Sequence, residues 1–245
     1  MKLMKRRVLA AALLATGCFA GASHAAVIIH GTRVIYPSSQ KEVTVDLENK
    51  GEVPALVQVW VDDGDQASPT DSKAPFILTP PLSRIEKGRG QAIRIMHAGE
   101  PLPADKESLF WLNMLDIPPK AASGTSPTEM SVAVKTRIKL LYRPTGLKGE
   151  PIEAPKALSW TVAGATSIQV TNPTPYYVNF ASVGIKQRSG KVISSIETGG
   201  MVAPGKTANF TFKAPVSADE TSVVFEAISD LGAKLPHTQP IAADR

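Results

Sequence analysis

The chain has 245 residues, with 27 Lys and Arg against 22 Asp and Glu, so its formal charge at pH 7 is +5. Four of these cations, Lys2, Lys5, Arg6 and Arg7, lie in the first 25 residues, which contain no acid. Without that segment the charge is only +1. A nearly neutral chain has no global electrostatic attraction for nucleic acid or for an anionic membrane surface, so neither is an expected partner.

Residues 1–25 have the layout of a secretory signal peptide. The basic residues precede an apolar run over residues 8–19, and small residues follow up to Ala25. Cys18, the only cysteine, lies in this run, so the exported chain has no disulfide and no thiolate metal ligand. Lipidation of Cys18 is an alternative, but the small Ala15 stands where a lipoprotein signal has a larger apolar residue. No later apolar run approaches the roughly 20 residues that span a bilayer.

The first half of the remaining chain has an all-β pattern. Short runs of alternating apolar and polar residues are separated by turn signals, and no helical periodicity is sustained. The strands are predicted at residues 27–35, 41–49, 55–61, 76–78, 91–96, 109–115 and 130–141. A proline pair follows the fourth run, where either proline could be cis. About seven short strands in about 120 residues predict an immunoglobulin-like sandwich.

A second sandwich is predicted after a linker. Residues 143–155 are rich in Pro, Gly and charge, which places a domain boundary there. Further strands are predicted at residues 168–171, 177–183, 184–187, 207–212 and 222–228. We therefore expect a signal peptide at 1–25, an N-terminal domain at 26–146 and a C-terminal domain at 147–245.

Few residues suggest catalysis or metal binding. His30, His97 and His237 lack the close spacing of a zinc site. Asp62 and its neighbours could bind calcium, but the loop lacks the EF-hand layout, so a solvated hairpin tip is the expectation. No phosphate-binding loop or nucleophile elbow occurs. We expect no cofactor, metal or catalytic residue, although a glycosidase acid pair needs no linear motif and stays open.

The strand at 130–141 has two interpretations. Met130, Val132 and Val134 alternate with small or polar residues, which is typical of a strand with one face in its own core. The same pattern fits an edge strand that offers its backbone and a row of side chains to another protein. The pattern alone favours the first interpretation.

Four segments resemble the signature segments of PapD-like periplasmic pilus chaperones of the chaperone–usher pathway. They are TRVIYP at 32–37, ESLFW at 107–111, TRIKLLYRP at 136–144 and NPTPYY at 172–177, in family order across both predicted domains. The resemblance implies an all-β protein with two immunoglobulin-like sandwich domains at an angle and a cleft between them. It also implies a chaperone without enzymatic activity that acts in the periplasm.

The resemblance implies a mechanism called donor-strand complementation. Pilus subunits of this kind lack their last strand, and the chaperone inserts its own G1 strand into the resulting groove. Met130, Val132 and Val134 match the family positions that fill subunit pockets. Arg33 and Lys139 match the two cleft cations that bind the C-terminal carboxylate of the subunit, and both ions suit that task chemically.

Further family positions have structural roles. Glu107, Arg143 and Asp230 match a salt-bridge set that links the two domains, although taken singly they read as surface charges. The interval 118–129 resembles the short loop of chaperones that serve rod-like pili. The expected partners are pilus subunits and an outer-membrane usher, and the resemblance leaves open whether free chaperones cap one another as dimers.

Alternatives remain at this stage. A pilus subunit or adhesin would have one incomplete immunoglobulin domain, usually with cysteines, whereas this sequence predicts two domains without cysteine. A secreted β-sandwich binding module would share the fold but not the family segments.

Overall fold

A computed structural model describes residues 27–64, 72–117, 132–187, 189–197, 199–213, 215–216 and 221–242. The predicted signal peptide, Cys18, Met130 and the interval 118–129 lie outside these residues. Within the described part of the chain no helix is long and apolar enough to cross a bilayer. The predicted all-β class is confirmed, since the regular structure consists of strands and a single short 3-10 helix at Ala154–Ala157 in these residues.

Nine strands form the N-terminal half. They are β1 Val27–Ile29, β2 Arg33–Pro37, β3 Glu42–Asn49, β4 Ala55–Asp62, β5 Phe76–Thr79, β6 Leu82–Ile85, β7 Gly90–His97, β8 Ser108–Ile117 and β9 Val134–Arg143. One sheet has the order β1-β3-β7-β5 and the other β2-β9-β8-β4-β6. Pairing is antiparallel except between β2 and β9, which run parallel. The Thr79–Pro80 peptide bond is cis.

The two sheets bury one shared core. Val45 and Ile93 face it from the first sheet, and Leu112 and Leu140 face it from the second, all at most 5% exposed. Alternation explains this, because residues two apart on a strand share a face. In β4, Val57, Val59 and Val61 share the face that is buried in this core.

The single strand predicted at residues 27–35 is wrong. β1 pairs with β3 in one sheet, whereas β2 pairs with β9 in the other. The chain changes sheets at Gly31, whose φ of +120° suits glycine and interrupts the strand. The apolar character of both halves hides this break in the sequence.

Eight strands form the C-terminal half. They are β10 Ser159–Gly164, β11 Ser167–Thr171, β12 Val178–Gln187, β13 Val192–Ile196, β14 Gly200–Val202, β15 Thr207–Thr211, β16 Thr221–Ile228 and β17 Lys234–Pro240. One sheet has the order β10-β11-β15, and the other β13-β12-β16-β17 with β14 beside β12. The predicted strands at 177–183 and 184–187 are one continuous strand. The sequence analysis missed β6, β10, β13, β14 and β17.

An aromatic cluster fills the second core. Trp160, Phe180 and Phe225 have ring centroids 5.3–5.8 Å apart, and Phe210 packs against the first two. Trp160 donates its indole N–H to Gln239 at 2.8 Å, so the polar atom of this buried ring is satisfied. The C-terminal sandwich therefore has a core of its own.

Candidate functional site

The fold brings the two predicted cleft cations side by side. Arg33 on β2 is the direct partner of Lys139 in the parallel pairing with β9. On its other side Lys139 lies opposite Trp111 of β8. Because paired residues on neighbouring strands point to the same face, both cations project from one face of the sheet, where the second sandwich meets the first.

Arg33 reaches across to the second sandwich but is only partly satisfied there. Its Nη1 donates to the carbonyl oxygen of Ile228 at 3.2 Å. Its Nε is buried without a hydrogen-bond partner. Burial lowers the pKa of Arg33, and the charge of Asp230 opposes this. The guanidinium thus keeps a free, desolvated donor, which is unusual because buried polar groups are normally paired.

Lys139 is also held by neutral groups. Its Nζ donates to Oδ1 of Asn179 in the second sandwich and lies 5.7 Å from the centroid of the Trp111 ring. Burial, and secondly the charge of Arg33, lower the pKa of Lys139 to about 8. No ion pair joins Arg33 or Lys139 to an acid in the described residues. Arg33 and Lys139 are therefore adjacent cations without a salt-bridge partner, although the charge of Asp230 acts on Arg33.

The three charged residues that were predicted to link the domains, Glu107, Arg143 and Asp230, are also in contact. The Nε of Arg143 donates to Oε1 of Glu107 at 2.6 Å, and its two terminal nitrogens donate to the carboxylate of Asp230 at 2.7 and 2.9 Å. The backbone N–H of Tyr177 donates to Oε2 of Glu107 at 2.7 Å. Glu107 comes from the first sandwich, whereas Tyr177 and Asp230 belong to the second, so the network joins the two.

Burial decides the character of this network. Glu107 is only 3% exposed, which rules out its alternative interpretation as a surface charge. Burial raises the pKa of Glu107, against the opposing charge of Arg143 and the hydrogen bond from Tyr177. Burial alone would lower the pKa of Arg143, but the hydrogen bonds and charges of Asp230 and Glu107 raise it above its ordinary value.

The predicted donor strand has two different halves. Ile138 and Leu140 pack in the first core, while Val132 and Val134, which have the same parity, are 63% and 37% exposed. β2 covers the edge of β9 only from Lys139 to Arg143. In the described residues no strand pairs with that edge over 134–138. Both interpretations of the pattern therefore apply, the core strand to the second half and the edge strand to the first.

A polar network on the same face as the two cations was not predicted from the sequence. Asp62, at the end of β4, is fully buried and accepts hydrogen bonds from Asn113, at 2.7 Å, and Arg137. Arg137 also lies 4.4 Å from the centroid of the Trp111 ring. The expectation of a solvated hairpin tip is thus wrong for Asp62. Asp62 lies with Trp60 on the face of β4 opposite the core valines, and it is buried there among polar partners rather than in the core.

Comparisons with known proteins agree with this geometry. Residues 26–148 match the family "Pili and flagellar-assembly chaperone, PapD N-terminal domain", and residues 153–239 match "Pili assembly chaperone PapD, C-terminal domain". The probable fimbrial chaperone YadV of Escherichia coli K12 is 52% identical over 180 residues, covering 71% of this chain and 73% of YadV. The chaperone protein FimB/FhaD of Bordetella pertussis is 40% identical over 239 residues, covering 96% and 95%.

Solved structures are similar over nearly the whole described chain. The YadV chaperone superposes with a TM-score of 0.76 at 44% identity, covering 88% of this chain and all of that one. A chain from the Salmonella enterica complex of the SafA pilin with the SafB chaperone gives a TM-score of 0.75 at 30% identity, covering 90% and 98%. The predicted fold of two immunoglobulin-like sandwiches is confirmed by these neighbours. The chain belongs to the PapD family of pilus assembly chaperones.

Proposed function

We propose that this chain is a periplasmic chaperone that captures pilus subunits on the first half of β9 and anchors their C-terminal carboxylate on Arg33 and Lys139. One observation carries the proposal: a strand edge left unpaired in the described residues, with exposed valines, begins where the two cations without a salt bridge end. The first feature fits an incomplete sheet, and the second fits the end of a polypeptide.

Arg33 and Lys139, the proposed anchor, would bind the C-terminal carboxylate of the subunit. A carboxylate between the two side chains would accept from the free Nε of Arg33 and from Lys139, satisfying the buried donor and reducing the repulsion between the two cations. Charge-assisted hydrogen bonds of this kind are stronger than neutral ones. The end of the subunit is thereby fixed against one point of the chaperone.

The open edge supplies the strand step. A subunit strand that pairs with residues 134–138 would satisfy backbone groups on both chains, while Val132 and Val134 enter apolar pockets of the subunit. Met130 continues the same row in the sequence and completes the proposed donor set. Backbone pairing is largely independent of sequence, so selectivity comes from the side-chain row. A structural neighbour, SafB, was solved in complex with a pilin.

The salt-bridge network holds the two halves of the site in place. Glu107, Arg143 and Asp230 connect the two sandwiches next to the anchor. The two separate cores support the division into domains at 26–146 and 147–245. Asn179 and Ile228 of the second sandwich accept hydrogen bonds from Lys139 and Arg33. They can orient these cations only if the link between the sandwiches is maintained.

The remaining parts of the proposal concern the setting. The signal peptide at 1–25 would export the chain, and the loaded chaperone would deliver its subunit to an outer-membrane usher. Folding assistance by strand donation needs no chemical step, so we propose that the protein is not an enzyme. The twelve-residue interval 118–129 resembles the loop of the short-loop subclass, so we propose that the chaperone serves a rod-like pilus.

Co-expression with a pilus subunit tests the proposal. Lys139→Ala should fold normally but fail to recover the subunit from periplasmic extract, because losing one partner of a partly buried ion pair costs about 3–5 kcal/mol. Lys87→Ala is the matched control, since Lys87 is exposed and pairs with Glu52 on the surface. Undiminished recovery with Lys139→Ala would refute the anchor.

A further inference from the structure

A cavity lies directly beside the proposed anchor. Its volume is about 150 Å³, and Arg33 forms part of its wall. Leu141 lines it from the first sandwich, and Val178 and Ala227 line it from the second. Apolar cavities of about this size accept a molecule as large as benzene, so one leucine or phenylalanine side chain has room here.

The chemistry of the wall favours an apolar guest. Leu141, Val178 and Ala227 are buried and offer only hydrocarbon. At the mouth, Ile152 is 55% exposed and Leu231 is 97% exposed, so two large apolar side chains face solvent beside the opening. A guest side chain would cover both and remove apolar surface from water.

The polar part of the wall is not neutral. Asp230 also lines the cavity, and both of its carboxylate oxygens accept from Arg143. Its remaining negative charge disfavours an acidic guest side chain. Asn179, another wall residue, accepts from Lys139, so the cavity is continuous with both anchor cations.

The unpaired Nε of Arg33 indicates where a carboxylate belongs. It is buried and has no partner in the described residues, and Arg33 lines the cavity. In a C-terminal residue, the α-carboxylate and the side chain are bonded to the same Cα atom, so they lie close together. A carboxylate on Arg33 therefore brings that residue's side chain to the cavity, which an internal residue of the guest cannot do.

We propose that the cavity receives the side chain of the C-terminal residue of the bound subunit, and that the chaperone selects a medium-sized apolar residue there. The inference rests on the proposed function, because it assumes that the α-carboxylate binds Arg33 and Lys139. It adds a pocket in the second sandwich to the anchor, so recognition of the subunit end involves both sandwiches. Leu, Ile, Met or Phe should bind best, Gly weaker and Asp weakest.

A peptide series tests the pocket separately from the anchor. The probe is a fluorescein-labelled peptide of alternating Thr and Val residues that ends in Leu, Gly or Asp with a free carboxylate, together with Leu carboxamide. Fluorescence anisotropy with the purified chain should give an affinity for Leu about tenfold or more above Gly, the size expected for burying one such side chain. The carboxamide should bind weakly.

The outcomes separate the two proposals. If acid and carboxamide bind equally, the anchor itself fails. If the acid binds better than the carboxamide but Leu and Gly bind equally, the anchor stands and the pocket is overturned. A preference for Asp over Gly would also overturn the pocket, because Asp230 lies in its wall.

Variants at the mouth give an independent readout. Ile152→Trp should fill the opening and reduce the preference for Leu over Gly to about one, while affinity for the Gly peptide stays within about twofold. Val53→Trp is the matched control, because Val53 is similarly exposed but lies in the turn after β3. If the preference for Leu survives in both Ile152→Trp and Leu231→Asp, each with an unchanged melting temperature, the pocket is not the site.

Discussion

Both terminal nitrogens of Arg143 bind the carboxylate of Asp230, and the third guanidinium nitrogen, Nε, binds Glu107. The two terminal nitrogens of Arg143 thus bind the second sandwich, and its Nε binds the first. Lysine could not make this bidentate contact, because its ammonium group is a single point of charge. This side chain therefore connects the two sandwiches directly.

The first prediction concerns the coupling between Arg143 and Asp230. We expect a coupling free energy of about 1–3 kcal/mol between Arg143→Ala and Asp230→Ala, measured by urea unfolding of the two single variants and the double variant. Arg143→Ala should cost more than Asp230→Ala, because it also leaves the buried Glu107 without its counter-charge. Coupling near zero would contradict an interdomain role.

The second prediction concerns the exposed half of β9. Val134→Asp should lower affinity for a pilus subunit at least about tenfold. The apolar pocket of the subunit would lose its contact with valine and would have to bury a carboxylate instead. Stability of the free chain should change by less than about 0.5 kcal/mol, because the side chain is already half-exposed. Val53→Asp is the control. Equal subunit recovery by the two variants would argue against strand donation.

The third prediction concerns pH. The pKa of Lys139 is about 8 in the free chain against an ordinary 10.5, so the ammonium group loses its proton above pH 8. A bound carboxylate raises this pKa, and binding then takes up a proton. Subunit affinity should therefore be full below pH 8 and fall above it, by at most about tenfold per pH unit.

Stability of the free chain should change in the opposite direction over the same range. Unfolded chains hold the Lys139 proton up to about pH 10.5 whereas the folded chain releases it near 8, so the free energy of unfolding gains a positive contribution in this window. Lys139→Arg should remove both pH effects, because arginine stays protonated. Peptide titrations and urea unfolding at pH 7, 8 and 9 would show this, and parallel profiles for the two proteins would contradict it.

The fourth prediction concerns the turn that carries Tyr177. The Nδ2 of Asn172, which is fully buried, donates to the carbonyl oxygens of Tyr176, Val202 and Ala203. Asn172→Ala should destabilise the chain by about 2–4 kcal/mol, because several buried backbone groups lose their partner. Asn209→Ala, which removes an exposed amide paired with Gln169, should cost less than about 1 kcal/mol by the same thermal or urea measurement.

Local alternation explains what could be read from the sequence. β3 and β4 were predicted within one or two residues, because each has a row of apolar residues two apart, Val45 and Leu47 in β3 and Val57, Val59 and Val61 in β4. Two of the strands that were missed lack such a row: β17 alternates around two prolines, and β14 has only three residues. Gly31 separates two apolar runs that look like one, so the change of sheet could not be seen.

The site shows the same division between local and distant information. Arg33 and Lys139 could be named from family segments, but only the parallel pairing of β2 with β9 makes them neighbours. The cavity beside them combines Leu141, Ile152 and Ala227, which are far apart in the chain. No period or motif links these positions, because packing of the two sandwiches creates the contact.

The parallel pairing of β2 with β9 has one more consequence. β2 begins at Arg33, which pairs with Lys139, and it covers the edge of β9 from there to Arg143. Arg33 would therefore block any guest strand that pairs with the earlier part of this edge. This stop sets the starting point from which every later residue of the guest is counted. A guest displaced by one residue would turn its inner face outward. The length of β2 therefore determines which guest side chains meet Val134 and Val132.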